Sequence, residues 1–168
     1  MNEAINEVFL LLGANLGDRN GSLNNAKHSI EQKAGKIITS SSLYETEAWG
    51  NINQPAFLNQ VIKITSALTA PILLHQLLLI EQEAGRVRTV KNAPRILDID
   101  ILFFNDEVYH LPELKIPHPE IQNRNFALQP LNEIAPFFVH PVIGKNISTL
   151  LNECRDVLKA EKLEPQLK

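Results

Sequence analysis

Cysteine is all but missing: Cys154 is the only one in 168 residues, which excludes an internal disulfide and a cysteine-rich zinc site. It falls in an apolar pattern of helical spacing, so it reads as packing without chemistry. The N-terminus has no basic stretch followed by an apolar signal core, and no run reaches the ~18 apolar residues of a membrane span. The expectation is a cytoplasmic protein without a membrane partner. Positive charge is not in excess either. A formal net charge of −3 gives no general attraction to nucleic acid, so any cationic site must be local. Internal repeats, low-complexity tracts and linkers are also lacking. The 168 residues, 44% of them apolar, suffice for one domain with a substantial core but not for two, so residues 1–168 are expected to form a single unit.

Against this background one segment stands out, Lys91-Asn-Ala-Pro-Arg95-Ile-Leu-Asp98-Ile-Asp100-Ile-Leu102. From Ile96 to Phe104 its β-branched and aromatic residues favour a strand, and only Asp98 and Asp100 are polar. Alternation puts both aspartates on one face, with their Cα atoms about 6.6 Å apart. Two such carboxylates repel unless a cation lies between them or one is solvated and the other pairs with Arg95. Arg86 and Arg88 alternate in the same way upstream. Hard oxygen ligands beside several guanidiniums point to Mg²⁺ with a polyphosphate rather than to zinc.

Taken in order, Val8 to Gly13 is a continuous apolar strand, followed by a Gly/Asn/Asp turn and a helix from near Ser22. That helix buries Leu23, Ala26, Ile30 and Ala34, and Gly35 fits its C-terminal cap. The Gly13 turn lacks the Lys-Ser/Thr of a P-loop and the spacing of a dinucleotide fingerprint, so it reads as a tight connection lining a pocket. Lys36 to Glu45 is a second strand, residues 46–55 form a loop holding Trp49, and Phe57 to Thr65 is a third strand. Asn59 shares a face with Phe57, an amide beside a ring that suits either a flat heterocycle or plain solvation. A second helix opens at Ala70-Pro71 with Ile72, Leu73, Leu77, Ile80 and Ala84 as its buried stripe. After the aspartate strand, Asn105-Asp106 reads as a hairpin turn into residues 107–111. His118 is held between two prolines, as a phosphate donor or as a structural histidine. Helices follow over residues 127–135 and 147–158, and residues 161–168 are expected to fray. The predicted class is α+β: a ferredoxin-like split βαβ core with a largely antiparallel sheet, helices on one face, the other face open, and a C-terminal helical extension.

With the motifs placed, the chain resembles the hydroxymethyldihydropterin pyrophosphokinase family from Val8 to about His140. The resemblance is carried by Lys91-x-Ala-Pro-Arg95-x-x-Asp98-Ile-Asp100-Ile-Leu102 and, in order around it, by Gly13-x-Asn15-Leu16, Tyr44-x-Thr46, Gln54-Pro-x-Phe57-Leu-Asn59, Glu81, Gly85-Arg86-x-Arg88, Ile116-Pro-His118 and Asn123-Arg124-x-Phe126. It implies pyrophosphoryl transfer from ATP to 6-hydroxymethyl-7,8-dihydropterin, with Asp98 and Asp100 binding two Mg²⁺ ions. It further implies that Arg86 and Arg95 hold the phosphates during transfer, with Glu81, Arg88, Ile101 and His118 in the ATP site. Gly13, Thr46, Ala48, Trp49, Phe57, Asn59, Asp98 and Phe126 would form the pterin site. Nothing in the sequence suggests a dedicated interface, so a monomer is expected. The chain differs from familiar members in a shorter arm at residues 89–92, in Leu78 and in Pro119. A palm-type nucleotidyltransferase, which releases pyrophosphate instead of AMP, and a small-molecule sensor domain of the same fold are the other readings.

Overall fold

β1 (Asn6–Ala14) is the strand the sheet is assembled on, and every residue from Val8 to Ala14 is buried. The computed structural model describes residues 4–47, 55–85 and 96–165. After β1 the chain forms α1 (Arg19–Lys33), β2 (Lys36–Ser40), β3 (Tyr44–Thr46), β4 (Phe57–Ser66), α2 (Ala70–Glu83) and β5 (Asp98–Phe104). Then come a small ribbon of β6 (Tyr109–His110) and β7 (Lys115–Ile116), a 3-10 turn at Ile121–Asn123, α3 (Asn125–Ile134), α4 (Ile147–Glu153) and β8 (Glu161–Lys162). The main sheet runs β5-β1-β4-β3-β8 with β2 also on β4, and its pairings are antiparallel. This is the expected split βαβ order: α1 and α2 each carry the chain past one intervening strand.

The face formed by Val8, Leu10, Leu12, Leu58, Ile62, Ile64, Ile99 and Ile101 packs on Leu23, Ala26 and Ile30 of α1 and on Leu73, Leu77 and Ile80 of α2. Each fully buried aliphatic side chain there contributes roughly 1.5–3 kcal/mol. Gly35, after α1, is a glycine because of proximity: a Cβ would lie 2.2 Å from the Thr65 carbonyl oxygen of β4. At the aspartate strand, Phe9 pairs with Phe103 but Leu10 pairs with Ile101, so Leu102 is the extra residue of a bulge. The bulge turns both Leu102 and Phe103 toward the opposite face, where they join Phe9, Leu11 and Val61.

That opposite face is not open as expected. Leu128 and Leu131 of α3 and Ile147 and Leu150 of α4 cover its apolar half, because Phe9, Leu11, Val61 and Phe103 also need burial. Other boundaries move for local reasons. The helix expected near Ser22 starts at Arg19, because the Asp18 carboxylate accepts the Gly21 N–H at 3.0 Å and caps it there. The single strand expected over residues 36–45 is two strands separated at residues 41–43, where the Ser41 N–H still donates to the Val61 carbonyl at 2.8 Å but the Val61 N–H goes to Ser41 Oγ at 3.0 Å and not to a backbone carbonyl. Ile72, expected in the stripe of α2, is 50% exposed, while Leu73 and Leu77 carry the burial. The Asn105-Asp106 turn forms, but the strand after it pairs with β7 instead of returning along β5. The helix over residues 127–135 begins earlier, at Asn125, and takes Pro130 inside. The last helix stops at Glu153 instead of 158, and Glu161–Lys162, expected to fray, pairs with β3. Among the described residues no helix is long and apolar enough to cross a membrane.

Candidate active site

The antiparallel register brings together residues far apart in the chain. Gly13 of β1 stands opposite both Asp98 of β5 and Asn59 of β4, and Asn59 stands opposite Tyr44 of β3. Directly paired residues share a face, as do residues two apart on one strand. Asp98, Gly13, Asn59 and Tyr44 therefore form one row, the Thr46–Phe57 pair extends it, and Asp100 opposite Leu11 begins the row behind. The row lies at the end of the sheet face that α3 covers, and Phe126 of α3 packs against the core beneath that helix. Glycine at position 13 leaves the Asn59 side chain its place, since a Cβ there would meet Asn59 Oδ1 at 2.9 Å.

Thr46 is 3% and Asn59 4% exposed, yet Thr46 Oγ1 and Asn59 Nδ2 have no hydrogen-bond partner among the described residues. A buried polar atom left unpaired costs about 1–3 kcal/mol, so a native fold keeps such atoms where something else will meet them. Here they are a donor amide and a hydroxyl on one sheet face with Phe57, close to where Asp98 stands. The arrangement suits a flat polar ring whose edge is read by hydrogen bonds and whose plane lies against aromatic side chains.

β5 is the end strand, so its outer edge is accessible, and a cavity of about 720 Å³ runs along it. Glu81, Asp100, Ile101 and His118 line this cavity, as do Leu78 and Pro119. Its volume is that of a small-molecule site of nucleotide size. Glu81, 1% exposed, accepts the Ile99 N–H through Oε2 at 2.7 Å, so α2 fixes the strand between the two aspartates. His118 donates its N–H to the Leu102 carbonyl at 3.1 Å, which pins it alongside β5. Burial lowers the His118 pKa and the Arg124 charge lowers it further, against the opposing pull of Asp98 and Glu120. Its Nδ1 accepts the Glu120 N–H at 3.2 Å, so the neutral ring carries its proton on Nε2 and is a donor.

Of the residues expected in the site, Gly13, Thr46, Phe57, Asn59, Asp98 and Asp100 share one face, and Glu81, Ile101 and His118 share the adjoining cavity with Asp100. Ala48, Trp49, Arg86, Arg88 and Arg95, with the arm at residues 89–92, lie outside the described residues. Arg124 is a candidate the sequence reading passed over, present only inside the Asn123-Arg124-x-Phe126 motif. Its guanidinium lies 5.5 Å from the Phe126 ring centre, and it lines a small recess with Asp100 and His118. Asp98 and Asp100, half-buried, offer hard carboxylate oxygens. No group of three or more His, Cys, Asp or Glu among the described residues forms a metal cage. A pair of carboxylates therefore fits a hard cation whose coordination is completed by phosphate and water.

The family model for 7,8-dihydro-6-hydroxymethylpterin-pyrophosphokinase (HPPK) matches residues 9–136. The chain is similar to the 2-amino-4-hydroxy-6-hydroxymethyldihydropteridine pyrophosphokinase of Aquifex aeolicus, 41% identical over 138 residues, which covers 82% of this chain and 86% of that protein. It is similar to the protein of that name in Porphyromonas gingivalis, 39% identical over 140 residues, covering 80% and 93%. It is also 38% identical over 149 residues to the folic acid synthesis protein fol1 of Pneumocystis carinii, covering 89% of this chain but only 20% of that longer protein. Among solved structures, wild-type HPPK-DHPS of Plasmodium falciparum with pteroate aligns with a TM-score of 0.72 at 21% identity, over 91% of this chain and 45% of that one. At that identity the likeness bears on the fold alone.

Proposed function

We propose how the reaction is carried by this site from the premise that the chain belongs to the 7,8-dihydro-6-hydroxymethylpterin-pyrophosphokinase family. The protein is an ATP-dependent diphosphotransferase that passes pyrophosphate from ATP to 6-hydroxymethyl-7,8-dihydropterin in folate biosynthesis, giving the pterin diphosphate and AMP. The observation that carries our reading of the site is the pair of buried, unpartnered atoms, Thr46 Oγ1 and Asn59 Nδ2, in and beside the row that contains Asp98. We assign them to the edge of the pterin ring, with Phe57 and Phe126 against its faces and Gly13 leaving room beneath it. The loop residues Ala48 and Trp49 would complete this pocket.

ATP would lie in the cavity along the outer edge of β5, against Glu81, Ile101 and His118, with Arg86, Arg88 and Arg95 on its phosphates. His118 donates from Nε2 without adding charge. Arginines match the planar array of phosphate oxygens in two hydrogen bonds at once, and they hold charge where it develops. Asp98 and Asp100 would hold two Mg²⁺ ions. When bound, Mg²⁺ supplies charge neutralisation on the phosphates and lowers the pKa of a coordinated hydroxyl. Asp98, in the row of Gly13 and Asn59 and two residues before the cavity-lining Asp100, would orient the pterin CH₂OH oxygen toward the β-phosphorus and take its proton. No covalent nucleophile is needed, since transfer of this kind rests on in-line positioning and electrostatics. We read residues 1–168 as one cytoplasmic, monomeric domain carrying both substrate sites.

The test is to incubate the purified protein with ATP, Mg²⁺ and 6-hydroxymethyl-7,8-dihydropterin and to identify the nucleotide product. AMP that appears only when pterin and metal are both present is the expected result. Release of inorganic pyrophosphate in place of AMP would put attack on the wrong phosphorus and sink the assignment.

A further inference from the structure

Between Glu153 and Leu163 the chain does something that neither helical pattern nor core burial calls for. It leaves α4 in an extended conformation at Cys154, runs past the start of α3 and ends paired with β3. This segment lies wholly outside residues 9–136, the part matched by the family model. Core burial does not explain its path: Val157 is 86% exposed, and of its apolar residues only Cys154 and Leu163 pack, partly buried, on the two cores.

Its polar contacts are specific at both ends. The Arg124 side chain makes no hydrogen bond that caps α3; instead the Asn125 N–H donates to Asp156 Oδ2 at 2.9 Å. Asn125 Nδ2 in turn donates to the carbonyls of Asp156 and Leu158, both at 3.0 Å. A carboxylate capping a helix N-terminus from outside is favoured by both the free N–H and the helix dipole. At the other end Tyr44 and Glu45 pair with Lys162 and Glu161, and the Leu163 N–H donates to the Leu43 carbonyl at 2.8 Å. Lys162 Nζ lies 3.1 Å from Glu133 Oε1 on α3. The same carboxylate accepts the Tyr44 hydroxyl at 3.1 Å and the Ser42 N–H.

The two structures joined in this way are the two sides of the pterin pocket. Asn125 adjoins Phe126, and Tyr44 stands opposite Asn59 and two residues before Thr46. We infer that residues 154–163 are a positioning strap, in which Asp156 and Lys162 hold α3 at its fixed distance from β3 and so set the gap into which the pterin ring slides. The inference rests on the pocket reading proposed above. It assigns to the strap pterin recognition and not ATP recognition, because the cavity along β5 lies at the far end of the sheet from β8.

The test is steady-state kinetics of AMP formation by the full chain and by Asp156→Ala, Asp156→Asn, Lys162→Ala and Asn59→Ala, with thermal unfolding of each. Loss of one charge-assisted hydrogen bond on a positioning element is expected to raise the pterin KM about tenfold in Asp156→Ala, with the ATP KM unchanged within about twofold. Asp156→Asn, which keeps an oxygen for the Asn125 N–H, should recover most of that loss, and Lys162→Ala, an exposed pair, should cost only about twofold. Should Asp156→Ala fail to fold, Asn125→Ala, which removes the two side-chain bonds to the Asp156 and Leu158 carbonyls, carries the test: a pterin KM raised about fivefold with the ATP KM unchanged supports the strap, and an unchanged pterin KM overturns it. If Asn59→Ala raises the pterin KM while Asp156→Ala does not, or if Asp156→Ala moves both KM values in step with a lowered Tm, the strap is structural only and the inference is overturned. If Asn59→Ala itself leaves the pterin KM unchanged, the pocket reading fails instead.

Discussion

The two faces of the main sheet are built from the same strands by the same alternation, yet they are put to different uses. On the α1/α2 face Leu10, Leu12, Leu58, Ile62 and Ile99 are buried, and Gln60, the polar residue opposite Leu12, is paired there, its Nε2 donating to the Ser41 carbonyl at 2.7 Å. On the other face the apolar set of Phe9, Leu11, Val61 and Phe103 continues into Gly13, Asn59, Thr46, Asp98 and Asp100. On the first face no buried side-chain polar atom is left unpaired among the described residues. The second carries two buried polar atoms without a partner among the described residues. Both faces carry an apolar core, and only the second continues into this row of polar groups.

The contrast can be broken most severely at Asp98. Asp98→Ala should lower the rate of AMP formation by about 10³-fold, since a ligand to the metal and phosphates is lost, while the melting temperature stays within a few degrees. A melting temperature that collapses together with activity would show that the polar face also holds the fold. Next in size is Leu10→Ala, in the middle of the dry face: about 3 kcal/mol should be lost in urea unfolding, with both KM values nearly unchanged at temperatures where the variant is folded. Gly13→Ala sharpens the comparison from the site side. The added methyl would meet Asn59 Oδ1 at 2.9 Å, so the pterin KM should rise about 30-fold with little change for ATP.

The smallest effect concerns Tyr44, which borders the polar row. Burial, reinforced by the Glu133 charge and hydrogen bond, pushes its pKa from 10.0 up to about 12. A group whose pKa is raised on folding stabilises fully below its unfolded value and loses that contribution as the pH climbs through the folded one. Between pH ~10 and ~12 the protein should therefore shed about 1 kcal/mol that Tyr44→Phe does not, as measured by denaturant titration at each pH. The acid side has a counterpart in Glu133. Partial burial raises its pKa, but hydrogen bonds from Ser42, Lys162 and Tyr44 outweigh this and leave it below the ordinary value. Its contribution is present above the usual glutamate range and lost as the pH falls through the lowered pKa.

Much of the site was legible in the chain because it sits on strands. Period-two alternation already puts Asp98 with Asp100 and Phe57 with Asn59, and the structure adds only which strand stands beside which. What alternation cannot supply is register. That Gly13 lies opposite both Asp98 and Asn59, and that an added methyl would strike Asn59, depends on pairings between strands tens of residues apart. Arg124 stayed hidden for a related reason: its place beside Phe126 and His118 comes from a turn after β7, with no periodicity to announce it.

Local sequence determined β1, β4 and β5, helices α1 and α2, the split βαβ order and the family motifs, because hydrophobic spacing and capping act over a few residues. The extent of α4 and the fate of the C-terminal segment were settled only by tertiary structure. The spacing from Ile147 to Leu158 is as helical as that of α1, but Asp156 gains more by capping α3, and Lys162 by pairing with β3 beside Glu133, than a longer exposed helix would return. Isolated short helices are marginal in water, so a few long-range hydrogen bonds suffice to redirect the chain, and those bonds exist only once the sheet and α3 have formed.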